Sequence, residues 1–379
     1  MFESVPFWMM IAGFLLVLGP LVTIHELGHY LVGRWFGVKA EAFSIGFGKE
    51  LTGWTDKRGT RWKLSALPLG GYVQFKGDMN PASIPDTKAL GDLTSEERDG
   101  NFHHAKLWKR ALIVFAGPAT NLIVAVLIFA AFNMSYGIPV ATDPATENLI
   151  VKFMDESPAK DAGMRIGDRI TAVDGEAMAD YRQVQRTIGL HPGKTLAVTI
   201  ARGSQSLTIP VKTRSFEVAD QFGNKSTIGL IGIESRATER QFETVGPVGA
   251  VRLGFVQCGD IVKMMVTGIA QIVSGDRSVK ELGGPLKIAK FSGEQLSLGP
   301  EPFVWFIAVI SLNLAFINLL PIPALDGGHL AFYAVEAVRR KPVGARGTEW
   351  AYRMGMALVL MLMIFVTVND VVSLPIFGG

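Results

Sequence analysis

The sequence predicts a multi-pass α-helical membrane protein carrying one α+β domain outside the bilayer, and three observations lead there. The apolar residues are clustered, with four long runs free of any charged residue. A metal-binding pattern, His25-Glu26-Leu27-Gly28-His29, stands just past the end of the first run. Between the second and third runs, Asn148–Ile233 reads as short strands with one or two helices. Bulk composition hides this contrast: over 379 residues the chain is 49% hydrophobic and 19% charged, with mean hydropathy +0.30 and net charge +3. That apolar content excludes disorder. The single cysteine, Cys258, excludes an intrachain disulfide scaffold, and so small a net charge gives no reason to expect a nucleic-acid partner.

Phe7–Ile24 has 18 residues without a charge, Leu112–Tyr136 has 25, Pro302–Leu325 has 24 and Met354–Asn369 has 16. About 20 apolar residues cross a hydrocarbon core of roughly 30 Å. The first three runs suffice alone, and Ala351, Tyr352 and the apolar stretch after Asp370 extend the fourth. The first run reads as a retained span, because Glu3 and no basic residue precedes it and no A-x-A site follows before His25. Val245–Val273 is ambiguous. Arg252, Asp260 and Lys263 interrupt it, so one or two amphipathic helices on the membrane surface are expected there. A fifth span would reverse the inside assignment of the last basic connection.

Basic residues near span ends mark the cytoplasmic side. Arg34, Lys39, Lys106, Lys109 and Arg110 flank the first connection, and Arg339, Arg340, Lys341, Arg346 and Arg353 crowd the last. Both termini and the Ser135–Glu301 segment then lie outside.

On a helix, His25 and His29 share a face, so both imidazoles reach one metal ion with Glu26 beside it. Chance predicts roughly 0.005 matches to H-E-x-x-H in such a composition, and polar side chains at membrane depth are costly unless paired or liganded. A catalytic zinc needs three protein ligands and an open position for water. Candidates for the third are His103-His104, His191 and Asp326. Asp326 is the best placed. Its segment runs inward from Phe303, and Pro321 and Pro323 break the helix at the depth of His25 and His29. His329 is the alternative, as ligand or as support.

HELGHY at 25–30, GFG at 46–48, PLGGYV at 68–73, AGPATN at 116–121 and NLLPIPALDGGH at 318–329 resemble, in order, the site-2 protease family of intramembrane zinc metalloproteases, in its bacterial RseP-like branch. The resemblance implies one Zn2+ per chain held by His25, His29 and Asp326, with Glu26 activating water and Asn318 holding substrate or the oxyanion. Arg61–Phe75 alternates like a strand and is interrupted by Pro68 and Gly70-Gly71. The resemblance makes it a re-entrant β-loop, with Leu67, Pro68, Leu69, Gly70, Gly71 and Tyr72 pairing with an unwound substrate. Gly117, Pro118 and Asn121 are read as packing and kink residues and left out of the catalytic set.

In the external segment, NLIVKFM is a strand, SPAKDAG caps a short helix at Ser157, YRQVQRTIG is an amphipathic helix, and KTLAVTIARG with QSLTIPVK makes a hairpin. SPAKDAGMRIGDRITAVDG resembles a circularly permuted PDZ domain, with a groove between Leu149–Phe153 and Tyr181–Leu190 for exposed substrate termini, or else a spacer or size filter. Gly283-Gly284-Pro285 and Gly293 suggest a flexible return to the third span.

The chain thus divides into a first span (1–36), a cytoplasmic and β-loop region (37–106), a second span (107–136), a periplasmic PDZ domain (137–235), surface helices and linker (236–301), a third span (302–325), a cytoplasmic loop (326–350) and a fourth span (351–374). The expected function is intramembrane cleavage of single-pass membrane proteins such as anti-sigma factors or signal-peptide remnants. The expected location is the bacterial inner membrane, with the active site near the cytoplasmic face. A non-catalytic client-binding pseudoprotease is the alternative, and the intact His25, Glu26, His29 and Asp326 set counts against it. No inverted repeat is visible to favour a transporter.

Overall fold

The computed structural model describes residues 5–78, 98–141, 147–219, 225–235, 240–275, 277–279, 282–341 and 344–372, and the chain forms two compact units. The larger unit begins with α1 (Phe7–Trp35), whose buried positions Gly13, Val17, Leu21, His25 and Gly28 recur at helical spacing along one stripe. Phe7, Trp8, Ile11, Leu15 and Leu16 point outward and are exposed, as a helix in lipid requires. α2 (Leu107–Tyr136), α7 (Pro300–Leu319) and α9 (Ala345–Val372) coincide with the other three uncharged runs.

Among the described residues, five helices are long and apolar enough to cross a membrane. The fifth is α5 (Pro247–Val273), one unbroken helix of 27 residues. Its Cys258 is buried with Ala125, Val126 and Phe129 of α2 and Ala308 and Leu312 of α7.

β1 (Ala40–Thr55) and β2 (Arg61–Phe75) are long enough to fold over one another. Phe43–Ile45 pair with Val73–Gly71 on one side and with Trp62–Leu64 on the other, while Thr52–Thr55 pair with Leu64–Arg61. Two strands thereby make a sheet four strands wide. β2 runs continuously through Pro68 and Gly70-Gly71, where the sequence suggested an interruption. Tyr30 of α1, Phe43, Val73, Phe75 and Phe102 pack into one cluster that fastens this sheet to the helices.

α6 (Pro285–Ser297) corrects the expected flexible return. Gly293 lies inside this helix, and a Cβ there would stand 2.8 Å from the Met10 Cα of α1. Its role is close helix packing. The segment read as a cytoplasmic loop is largely α8 (Asp326–Arg339).

The second unit holds a four-stranded sheet in the order β6-β5-β7-β8, where β5 is Arg169–Val173, β6 Glu176–Ala177, β7 Thr195–Arg202 and β8 Gln205–Lys212. β7 and β8 form the expected hairpin. Between β4 (Ile150–Phe153) and β5 lies α3 (Pro158–Asp161), capped by Ser157 as its sequence announces. α4 (Tyr181–Gly189) starts at Asp180, whose carboxylate accepts from Gln183 N–H at 2.7 Å. Its Val184 and Ile188 face a core with Ile150, Ile170, Val198, Ile200 and Val211.

Candidate active site

α1 carries the first two ligand candidates one turn apart, and a neighbouring helix lets them converge. Gly28 brings α1 against α2, since a Cβ there would collide with Thr120 Oγ1 and stand 2.6 Å from the Ala116 carbonyl oxygen. Gly117 of α2 faces the imidazoles themselves. A Cβ there would press on His29 Nε2 and stand 2.8 Å from His25 Nε2.

The third ligand arrives from the far end of the chain. α7 stops at Leu319 because Pro321 and Pro323 cannot continue it, and the backbone turns through Ala324 at φ 87°. Asp326 then opens α8, where the positive end of the helix dipole favours its carboxylate.

His25 Nε2 lies 3.2 Å from His29 Nε2. Asp326 Oδ2 lies 3.1 Å from the first and 3.5 Å from the second. Tetrahedral ligands around zinc, at roughly 2.0–2.1 Å each, stand about 3.3–3.4 Å from one another. The triangle fits a zinc ion with one position left open. His25, His29 and Asp326 are the group among the described residues whose ligand atoms gather closely enough to hold a metal.

The other candidates are elsewhere. His329 meets the Tyr352 hydroxyl at 2.6 Å from Nδ1. His103 Nε2 is 2.9 Å from Asp78 Oδ1, and His191 Nδ1 donates to the Thr187 carbonyl. Asn318 sits half-buried near the end of α7, eight residues before Asp326.

Glu26 is flanked by β2. A Cβ on Gly71 would stand 3.1 Å from Glu26 Cγ. Of the β-loop candidates, Gly71 is therefore the one brought beside Glu26. Tyr72 accepts from Lys63 Nζ at 2.9 Å and stacks on Phe47, and Leu67 pairs with Phe47 in the sheet. Gly70 has φ 152° beside the Phe47 ring. The side chains of Pro68 and Leu69 lie outside the described residues.

Sequence reasoning passed over Asn121, whose side-chain amide lies 3.3 Å from His25 Nδ1. The signal was available. A polar residue inside an uncharged span is a functional candidate by default, because leaving it unpaired in lipid is costly.

In the second unit, Met154, Tyr181, Val184, Ile188 and the run Ile228–Ile233 line a cleft of about 160 Å³. Its strand wall is therefore 228–233, where Leu149–Phe153 was expected. The reason is that β11 (Ile233–Ser235) pairs with β4 from about eighty residues later in the chain.

Residues 13–362 match peptidase family M50. A protein named as a zinc metalloprotease in Agrobacterium fabrum is 45% identical over 96% of this chain and 96% of its own. Another so named in Rhizobium meliloti is 44% identical over 94% of this chain and 95% of its own. The metalloprotease MmpA of Caulobacter vibrioides is 33% identical over 98% and 97%. Among solved structures, the PDZ domain of an SdrC-like protein from Listeria monocytogenes is 23% identical over 25% of this chain and 93% of its own, at a TM-score of 0.20 too low to bear on the fold.

Proposed function

Given that the chain belongs to peptidase family M50 and is a site-2 type zinc metalloprotease, we propose that it cleaves single-pass membrane proteins within or beside their spanning segments. One observation carries this reading: His25 and His29, which meet Asp326 in the ligand triangle, stand on an apolar helix long enough to cross a membrane and exposed along its apolar faces. A substrate that reaches it arrives through lipid.

Bound zinc supplies Lewis acidity to polarise the peptide carbonyl and acidify water. Glu26 takes a proton from the attacking water as the C–O bond forms, and returns it to the amine nitrogen as the C–N bond breaks. A helical substrate hides its carbonyls in backbone hydrogen bonds, so it must unwind. Gly71–Phe75 of β2 pair with β1 on one side, and Gly71 stands beside Glu26. That edge suits an extended substrate strand, with Asn318 holding the substrate carbonyl.

The unit containing residues 147–235 is read as a PDZ domain outside the cytoplasm, whose cleft beside α4 takes an exposed substrate terminus. The protein would sit in a bacterial inner membrane, its active site near the cytoplasmic face. The test is Glu26→Gln in purified, reconstituted protein. The variant should keep one zinc per chain and lose cleavage of a membrane-embedded substrate by at least about 100-fold, the usual weight of a general base. Retained cleavage would refute the mechanism.

A further inference from the structure

Each metal-binding histidine turns its Nε2 to the ligand triangle and so has an Nδ1 to be satisfied. For His29 the partner is plain, since Nδ1 donates to the Ile113 carbonyl of α2 at 2.8 Å. For His25 the partner is Asn121, at 3.3 Å. Ile113, Gly117 and Asn121 are spaced by four along α2 and so share one face. That face supplies an acceptor, a space and an amide to the two histidines.

Asn121 is fully buried at 0% exposure, and its Oδ1 has no hydrogen-bond partner. Its backbone is pinned from α7, where Ser311 Oγ donates to the Asn121 carbonyl at 2.8 Å. A buried amide with an unused oxygen is costly, and an apolar residue of equal volume would avoid that cost. A metal on His25 Nε2 would leave the ring proton on Nδ1, and an amide turned by half a rotation from this orientation puts Oδ1 where it accepts that proton. The two orientations differ only in which of two similar atoms faces the imidazole.

We infer that Asn121 is a positioning residue for the metal centre: it accepts the Nδ1 proton of His25, fixing the tautomer and ring angle that present Nε2 to zinc. The inference rests on the zinc-protease reading and adds to it a residue that binds neither metal nor substrate. Partners of this kind typically change metal affinity by about 10–100-fold.

The experiment compares wild type, Asn121→Leu and Asn121→Asp, purified in detergent, by zinc competition against a chelator of known affinity and by the absorption bands of the cobalt-substituted proteins. Asn121→Leu should bind zinc about 10–100-fold more weakly while its metal-free form melts close to metal-free wild type. Asn121→Asp, which keeps the acceptor, should bind at least as tightly as wild type and shift the cobalt bands. Equal affinity in wild type and Asn121→Leu would overturn the assignment. So would equal losses in both variants, which would mark a packing role. If Asn121→Leu does not fold, Asn121→Asp decides alone, and cobalt bands identical to wild type would overturn it. Wild type that binds no zinc would instead bring down the metalloprotease reading, leaving the two failures distinguishable.

Discussion

Two helices and a turn approach the metal position from different sides, so single residues there have opposite effects on metal and on fold. Asp326 offers the ligand that closes the triangle. Asp326→Ala should reduce bound zinc from one per chain to near none, read by elemental analysis of the purified protein. Unchanged zinc would transfer the role to His329, which here contacts Tyr352 instead. Gly117→Ala separates two effects that usually run together. Alanine favours an exposed helix interior by about 1 kcal/mol over glycine. At Gly117, however, the added methyl presses on both ligand nitrogens. Zinc affinity should fall at least about 10-fold, the scale of a disturbed ligand shell, while circular dichroism shows no loss of helix. Wild-type affinity in Gly117→Ala would mean that the histidines turn away freely.

At the scale of elements, the sheet of the second unit is tied by a charged contact with a definite pH signature. Asp168 is buried at 1% exposure, accepts Arg202 Nε and the Arg165 backbone N–H at 2.8 and 2.7 Å, and thereby joins the start of β5 to the end of β7. Burial alone would raise its carboxyl, but the Arg202 bond, then the Arg165 N–H, outweigh it and hold the group below the usual carboxylate range. The unfolded chain then binds the proton more readily. The contribution to stability is complete above the unfolded value of about 3.9 and is lost as pH falls through the lower folded value. Asp168→Ala should therefore destabilise this unit by on the order of 1–2 kcal/mol at pH 7, and by progressively less in strong acid. A thermal melt of both proteins at pH 7 and pH 3 checks it, and an equal deficit at both would refute the linkage. Elements like β7, β8 and α4 were legible because alternation, caps and helical spacing are local. The convergence of His25, His29 and Asp326 was legible because the two motifs confine the ligand candidates to a few residues at two sites. The wall of the cleft, the packing of Gly293 and the role of Asn121 were not. Each depends on a neighbour about eighty or more residues away, except that the membrane depth of Asn121 was itself a clue.

For the whole molecule, the ligand triangle constrains how often the chain crosses the bilayer. Val17 and Leu21 of α1 share a cluster with Phe303 and Ile310 of α7, and both helices end toward the metal, at His25–His29 and Asp326. The two helices therefore run in the same direction. α2 returns, with Ile113 and Gly117 beside the histidines and Val124 back beside the α1 cluster. If α1, α2 and α7 all span the bilayer, an even number of crossings is expected between the end of α2 and the start of α7. α6, at 13 residues, is too short to span a core of about 30 Å. α5 is long enough, but one crossing by α5 alone would bring α7 in from the wrong side. α5 is thus expected to lie along one face of the bilayer without crossing it, which would give four crossings and place the connection around Lys341 on the same side as that around Arg58. Single cysteines test this in vesicles of known orientation, and the native Cys258 is buried at 3% exposure and should stay silent. Arg58→Cys and Lys341→Cys should react with an impermeant maleimide from one side, and Ser204→Cys from the other. If Lys341→Cys reacts together with Ser204→Cys, α5 crosses, and α1 and α7 cannot run in the same direction through the membrane.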